Sequence, residues 1–359
     1  MKTRLFNCLL LTFILTSSCF GEDFFASNED QLRNSLNSAS PGDRIRLASG
    51  VWSLKDSLNV FRSGTASAPI TLISRGNTIF DGSLISGGNP APLKFNGAEH
   101  WVIENLTCRN SNGAGISIND SRFLEFANVE CHTNNGSGFD TYRSPDLKFF
   151  FCVAHGNFDL ATNGQNSDGF AIKIDSNRCQ LFACDAYENS DDGYDFWRST
   201  DCLIDDCWAF LNGLGDGDGN GFKMGSPIDE SGDHQFQYCI AWDNRVVGFD
   251  NNGASLPNRV FHCVACRNAS GFVGFTQDMR ISNCIEFQNP QGNFLGNGVD
   301  NSFNTWNLGI DNPLFFQTSD PSSPNFFSLR PRSACIDAGI NVGLPFKGKS
   351  PDLGVRERR

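Results

Sequence analysis

Tyrosine and methionine are scarce in this chain, with 4 and 3 among 359 residues. Basic residues are also few, 28 Lys and Arg against 40 Asp and Glu. No basic stripe runs through the sequence, which sets aside nucleic acid as a partner. Past the N-terminal segment no apolar run is long enough to span a bilayer. Helix-type hydrophobic spacing is almost absent after about residue 40, which excludes a helical bundle. His132, His155, His234 and His262 show no Cys/His spacing of a zinc site. What is abundant is Gly (36) and Phe (33), with many Asn and Ser, a composition that suggests many tight turns.

The start, Met1-Lys2-Thr3-Arg4, is basic. A mostly apolar run from Leu5 to Thr16 follows, then small residues to Gly21. This pattern predicts a secretory signal over 1–21 and an extracellular protein. A lipid anchor on Cys19 is the alternative, weakened by Leu15, which stands one place too far from it. Residues 22–359 read as one domain, with a cap and first turns over 22–97, regular repeats over 98–289 and a C-terminal wrap over 290–359. A monomer is expected. The net charge of −12 would repel an acidic polymer, so such a substrate needs a local positive anchor, which a bound divalent cation would supply.

The chain repeats itself. Cys-x-Ala-x-x-Asn occurs from Cys152 to Asn157, Cys184 to Asn189, Cys207 to Asn212, Cys239 to Asn244 and Cys263 to Asn268, with a variant from Cys284 to Asn289. The cysteines are spaced 32, 23, 32, 24 and 21 residues apart, so the period is about 23 with two insertions of about nine. Earlier degenerate copies place Asn105 and Asn128 in the Cys position. Short strands, turns and no helix at this period predict an all-β fold, a β-solenoid of about 23 residues per turn. One residue type at one repeat position becomes a ladder with rungs about 4.8 Å apart. The asparagines should form such a ladder and the cysteines should fill the core, although adjacent rungs could pair Cys179 with Cys202 and Cys108 with Cys131. Ser27 to Leu36 reads as a short helix capping the open end, and Arg44 to Leu47 as the first strand. Asn105, Asn119, Asn135 and Asn268 begin Asn-x-Ser/Thr triplets.

A second phrase follows each ladder asparagine. It reads Ser167-Asp168-Gly169-Phe170, then Ser190-Asp191-Asp192-Gly193-Tyr194-Asp195, then Asn220-Gly221-Phe222-Lys223. The residues after Gly, from Phe139 to Phe272, should stack inside. The next position should face out, as the row Asp140, Ala171, Asp195, Lys223, Asp250 and Val273. Asp168, Asp191, Asp192 and Asp195 then converge, with Lys223 one rung on, and both insertions flank them. Four clustered carboxylates need a counter-charge, and Ca²⁺ takes oxygen ligands in loose geometry. The plain alternatives are a solvated acidic face and a surface ion pair of Lys223 with Asp195 or Asp250. A cation beside a basic residue suits β-elimination of a uronic acid polymer, with Lys223 as the base. Lys173, Arg143, Arg198 and Arg245 are candidates to meet substrate carboxylates. Asp250 is a candidate to orient Lys223, and Trp197 to stack on a sugar ring.

These phrases, Asp168-Gly-Phe, Asp191-Asp192-Gly-Tyr-Asp195 and Gly-Asn-Gly-Phe-Lys223-Met-Gly, resemble the signature segments of the ninth polysaccharide lyase family, the pectate and exopolygalacturonate lyases. The resemblance covers roughly Ala98 to Asn289. It implies a right-handed parallel β-helix acting on polygalacturonate, with Asp168, Asp191, Asp192 and Asp195 as Ca²⁺ ligands and Lys223 as the base. A glycoside hydrolase on the same fold and a non-catalytic polysaccharide-binding solenoid are the rival expectations.

Overall fold

A computed structural model of the chain describes residues 21–358. The expected signal segment lies outside these residues apart from Gly21. The chain coils into a parallel β-helix in which each turn adds a strand to a ten-stranded sheet and short strands to a nineteen-stranded one. The ten-stranded sheet carries the second phrase. Its strands Phe139–Tyr142, Phe170–Lys173, Tyr194–Asp195, Phe222–Lys223 and Val247–Asp250 pair in parallel, in order. Among the described residues no helix is long and apolar enough to cross a membrane.

Three stacked rows explain the period. Phe139, Phe170, Tyr194, Phe222, Phe249 and Phe272 lie in one file, their rings nearly parallel at 4.8, 5.0, 4.7, 4.9 and 5.0 Å. Asn134, Asn157, Asn189, Asn212, Asn244, Asn268 and Asn289 form the second. From Asn134 to Asn268 each Nδ2 donates to the next Oδ1 at 2.8–3.1 Å, and from Asn189 to Asn289 each also donates to an alanine carbonyl. The amides thereby satisfy buried turn backbone, without which each open group would cost about 1–3 kcal/mol. Glycine precedes the aromatic because the turns crowd there. A Cβ on Gly193 would stand 2.7 Å from Gly221 O and 2.8 Å from Asn212 Nδ2.

The third row is the cysteines. All twelve described cysteines are buried free thiols, so the disulfides Cys179–Cys202 and Cys108–Cys131 do not form. Their sulfurs act instead as small fillers that donate weakly to carbonyls of the preceding turn, as Cys184 does to Phe149 O at 3.5 Å. Burial pushes the Cys239 thiol up to about 11, away from the reactive range.

The early repeats run one residue off the sequence alignment. Phe126 pairs with Phe149 and Glu130 with Val153, so Val129 and Leu106, not Asn128 and Asn105, occupy the Cys position. Asn105 and Asn128 instead sit at the corner before it, with φ of 58° and 53°, where Asn tolerates the left-handed region. Asn268 belongs to the buried ladder, which removes it as a glycosylation acceptor in the folded chain.

The ends close the coil. The helix Glu29–Ser38 covers the N-terminal opening with Leu32 and Leu36, and Asn28 caps it by accepting from Gln31 N. A strand at Asp23–Ala26 precedes Arg44–Leu47 and pairs with it, so the latter is the second strand rather than the first. At the other end Phe326, Phe327, Leu329, Cys335 and Leu353 bury themselves against Trp208, Ile240, Trp242, Val264 and Ile285 on the outside of the coil.

His234 makes stability pH-dependent. Its ring is buried, Nδ1 accepts from Cys202 N at 3.1 Å, and burial pulls it down to about 3. The unfolded chain therefore binds a proton that the folded chain refuses, and this term falls away as pH drops from about 6.5 towards 3. At pH 5 the loss is about 2 kcal/mol relative to pH 7. Asn258 fills the same role one turn on, accepting from His234 N, so Asn suits position 234. The stability gap between the natural chain and His234→Asn, read by denaturant unfolding, should shift by that amount between pH 7 and 5. A constant gap would contradict this.

Candidate active site

The register sets Asp195 against Lys223, with Ala171 and Asp140 on one side and Asp250 on the other. Asp168 and Asp192 occupy the position just before glycine on adjacent turns. There each carboxylate uses one oxygen to hold the next turn: Asp192 N donates to Asp168 Oδ1 (3.2 Å) and Asn220 N to Asp192 Oδ1 (2.8 Å). The second oxygens are left for other work. Asp168, Asp192 and Asp195 can each present an oxygen within 4.8 Å of the others, all three buried. Asp191 joins them through its neighbour, with Oδ1 accepting from Asp218 N at 2.6 Å.

Asp195 does not face solvent, as period-two alternation alone would have it; it is 3% exposed. Lys173 lies over it. The Lys173 amine bonds Asp168 Oδ2 (2.7 Å) and Asp195 Oδ2 (2.8 Å). Burial pulls this amine down, but the two carboxylates override it and hold Lys173 well above the ordinary lysine range. Lys223 is in a similar position. Its Nζ lies 3.3 Å from Asp192 Oδ2 and 2.8 Å from Asp218 Oδ2. Burial lowers it, while Asp192, Asp195 and Asp218 raise it further, for a net upward shift.

The acids are strained electrostatically. Burial, with the Asp168 carboxylate nearby, pushes Asp191 up to about 7. Burial also drives Asp192 and Asp195 above the usual carboxylate range, against the pull of Lys223 and Lys173. Asp192 Oδ2 and Asp195 Oδ1 are buried without a hydrogen-bond partner. Buried carboxylate oxygens in that state suit a hard cation with oxygen ligands, and the donor set holds no nitrogen or sulfur that would favour zinc. The residues present therefore fit Ca²⁺.

The other expected groups are engaged elsewhere. Arg198 pairs with Asp229 at 2.5 Å and lies over Trp197. Arg143 bonds both oxygens of Asp120, at 2.7 and 2.9 Å. Arg245 donates to Gly215 O and Gly217 O of the second insertion. Asp250 neighbours Lys223 in register, but its Oδ1 accepts from Asn252 N and it is not an ion-pair partner of the lysine. The lysine's ion-pair partners are Asp192 and Asp218, and Asp218 is the one that sequence reasoning missed. The alternation of Gly and Asp from Gly215 to Gly219 is the signal that could have found it. The insertions wall the site together: Asp216 N donates to Asn163 O (2.8 Å) and Asn163 Nδ2 to Asp216 Oδ2 (3.0 Å).

Comparison with known proteins agrees with the architecture. Residues 17–293 match the family model described as "Pel9A-like, right handed beta helix region". Pectate lyase L of Dickeya chrysanthemi is 30% identical over 232 residues, 57% of this chain and 54% of that protein. Pectate lyase PEL9 of Emericella nidulans is 26% identical over 259 residues, 60% of this chain and 63% of that one. The chain thus spans a little over half the length of these curated relatives. The crystal structure of pectate lyase Pel9A superposes with a TM-score of 0.81 at 21% identity, over 96% of this chain and 98% of that one. A rhamnogalacturonan lyase superposes with a TM-score of 0.71 at 16% identity, over 87% and 97%. At those identities the structural likeness carries the fold alone, a right-handed parallel β-helix. With the family model spanning most of its length, the chain belongs to the ninth polysaccharide lyase family, the Pel9A-like β-helices.

Proposed function

We propose that this chain is a secreted, Ca²⁺-dependent pectate lyase that cleaves polygalacturonate by β-elimination. The observation that carries the reading is the buried carboxylate cluster, with Asp195 Oδ1 unpartnered and Asp192 Oδ2 met only by the Lys223 ion pair at 3.3 Å, one turn from Lys223 on the same sheet. Asp168, Asp191, Asp192 and Asp195 would hold the cation. Bound there, Ca²⁺ would offset the acids, anchor the uronate carboxylate and make the sugar C5 proton more acidic. Lys223 Nζ accepts that proton. The C5–H electron pair becomes the C4–C5 double bond, the C4–O bond breaks, and the departing oxygen takes a proton from water as the new chain end, the hydroxide so formed recovering the proton that Lys223 took.

Lys223 can act only as a free amine. In the ion pairs described above it holds its proton tightly, chiefly through Asp192. Neutralising Asp192 and Asp195 would remove two of the charges that raise Lys223 and leave Asp218 to oppose burial, which moves the amine down towards a useful base. Polygalacturonate mixed with the protein should gain ultraviolet absorbance when Ca²⁺ is present and none in excess chelator. Chelator-resistant gain, or no gain at any Ca²⁺ level, would sink the proposal. Asp191, pushed up to about 7, and Asp192, raised by burial, favour the hydrolase reading, since a protonated acid could serve a leaving group. Hydrolysis would give new reducing ends with no gain in absorbance.

A further inference from the structure

We infer that Asp218 and Arg245 are positioning residues that set Lys223 against the carboxylate cluster, an assignment that rests on Lys223 being the base. Asp218 touches both halves of the site. Its Oδ2 accepts from Lys223 Nζ at 2.8 Å, and its backbone N donates to Asp191 Oδ1 at 2.6 Å. One residue thus ties the amine to a ligand of the cluster. Asp191, Asp192 and Asp218 can bring oxygens within 4.8 Å of one another, and two of these acids, Asp192 and Asp218, hold the Lys223 amine.

Asp218 cannot hold itself, because its side chain is 63% exposed and its insertion adds no strand to either sheet. The loop is fixed from outside. Arg245 stands on the next turn, one residue past the ladder Asn244, and its guanidinium donates to the carbonyls of Gly215 and Gly217. Its own N donates to Asn212 O at 3.0 Å. Gly217 is pressed so closely on the turn below that a Cβ there would stand 2.1 Å from Ser190 O and 2.7 Å from Asp191 Cα. The chain of contact runs from Arg245 through the loop carbonyls to Asp218, and from Asp218 to Lys223. Arg245 is exposed, and among the described residues its guanidinium is held by loop carbonyls and pairs with no acid, so its use is mechanical.

Steady-state kinetics on polygalacturonate at saturating Ca²⁺ test this. Asp218→Ala should lower kcat roughly tenfold and leave KM within about twofold, as misplacement of a base does. Asp218→Asn keeps an acceptor for Nζ and should recover most of the loss. Arg245→Ala should give a similar defect, and the double variant should be no worse than Asp218→Ala alone. Arg245→Ala should also speed chymotrypsin cleavage after Leu214 with the global unfolding midpoint unchanged. Full kcat in Asp218→Ala, or defects that multiply in the double variant, would overturn the positioning role while leaving the lyase reading intact. No turnover in the unaltered chain would overturn the base assignment and this role with it.

Discussion

Lys223→Ala is expected to retain about one part in a thousand of the natural turnover on polygalacturonate, within the range that loss of a general base costs. The loss should appear in kcat, because the lysine acts on the C5 proton. Lys223→Arg should fail to the same degree. Arginine keeps the charge and could keep the contacts to Asp192 and Asp218, but its guanidinium does not give up a proton in proteins. Calcium binding, read by calorimetry, should survive in Lys223→Ala or tighten, since a positive neighbour of Asp192 is removed. That pairing of results separates a base from a structural ion pair. If Lys223→Arg turned over at more than a tenth of the natural rate, the lysine would be acting as a charge.

The largest stability effect should come from the asparagine ladder. Asn212 Oδ1 accepts from Asn189 N and Asn189 Nδ2, both at 3.1 Å. Its Nδ2 donates to Asn244 Oδ1 (2.9 Å) and Ala186 O (3.1 Å). Asn212→Ala would strand buried partners on both adjacent turns, each at about 1–3 kcal/mol, and a total of roughly 4–6 kcal/mol is expected. That is a large part of the stability of an ordinary domain, so the variant should unfold at far lower denaturant. Asn135→Ala is the control. Its amide makes a single 3.4 Å contact to Asn112 in solvent, and its removal should stay within about 0.5 kcal/mol. Equal midpoints for the two variants would mean that the ladder is ornamental.

The parts of this molecule that repeat were readable before its coordinates were. The aromatic file, the asparagine ladder and the pairing of Asp195 with Lys223 follow from one register, because a coil puts equal phase at equal height. The helix at Glu29–Ser38 was readable from its cap and its two leucines. What escaped lacks a period. Asp218 and the strap from Arg245 belong to an insertion whose path depends on contacts with another insertion, at Asn163 and Asp216. The contact of Lys173 with Asp195 also escaped, because it depends on a side chain long enough to cross to the adjacent turn. The slip at Asn105 and Asn128 arose because asparagine favours two positions in each turn, the internal ladder and the left-handed corner.

The central claim is that a carboxylate-bound cation and Lys223 together eliminate across the C4–O bond of a uronate. Mass analysis of fragments released from polygalacturonate tests it most directly. With Ca²⁺ present, the fragments should include new ends lighter by one water than their hydrolytic counterparts, in step with the ultraviolet gain, and chelation should stop both. Fragments of full hydrolytic mass, or release that continues in chelator, would contradict the account.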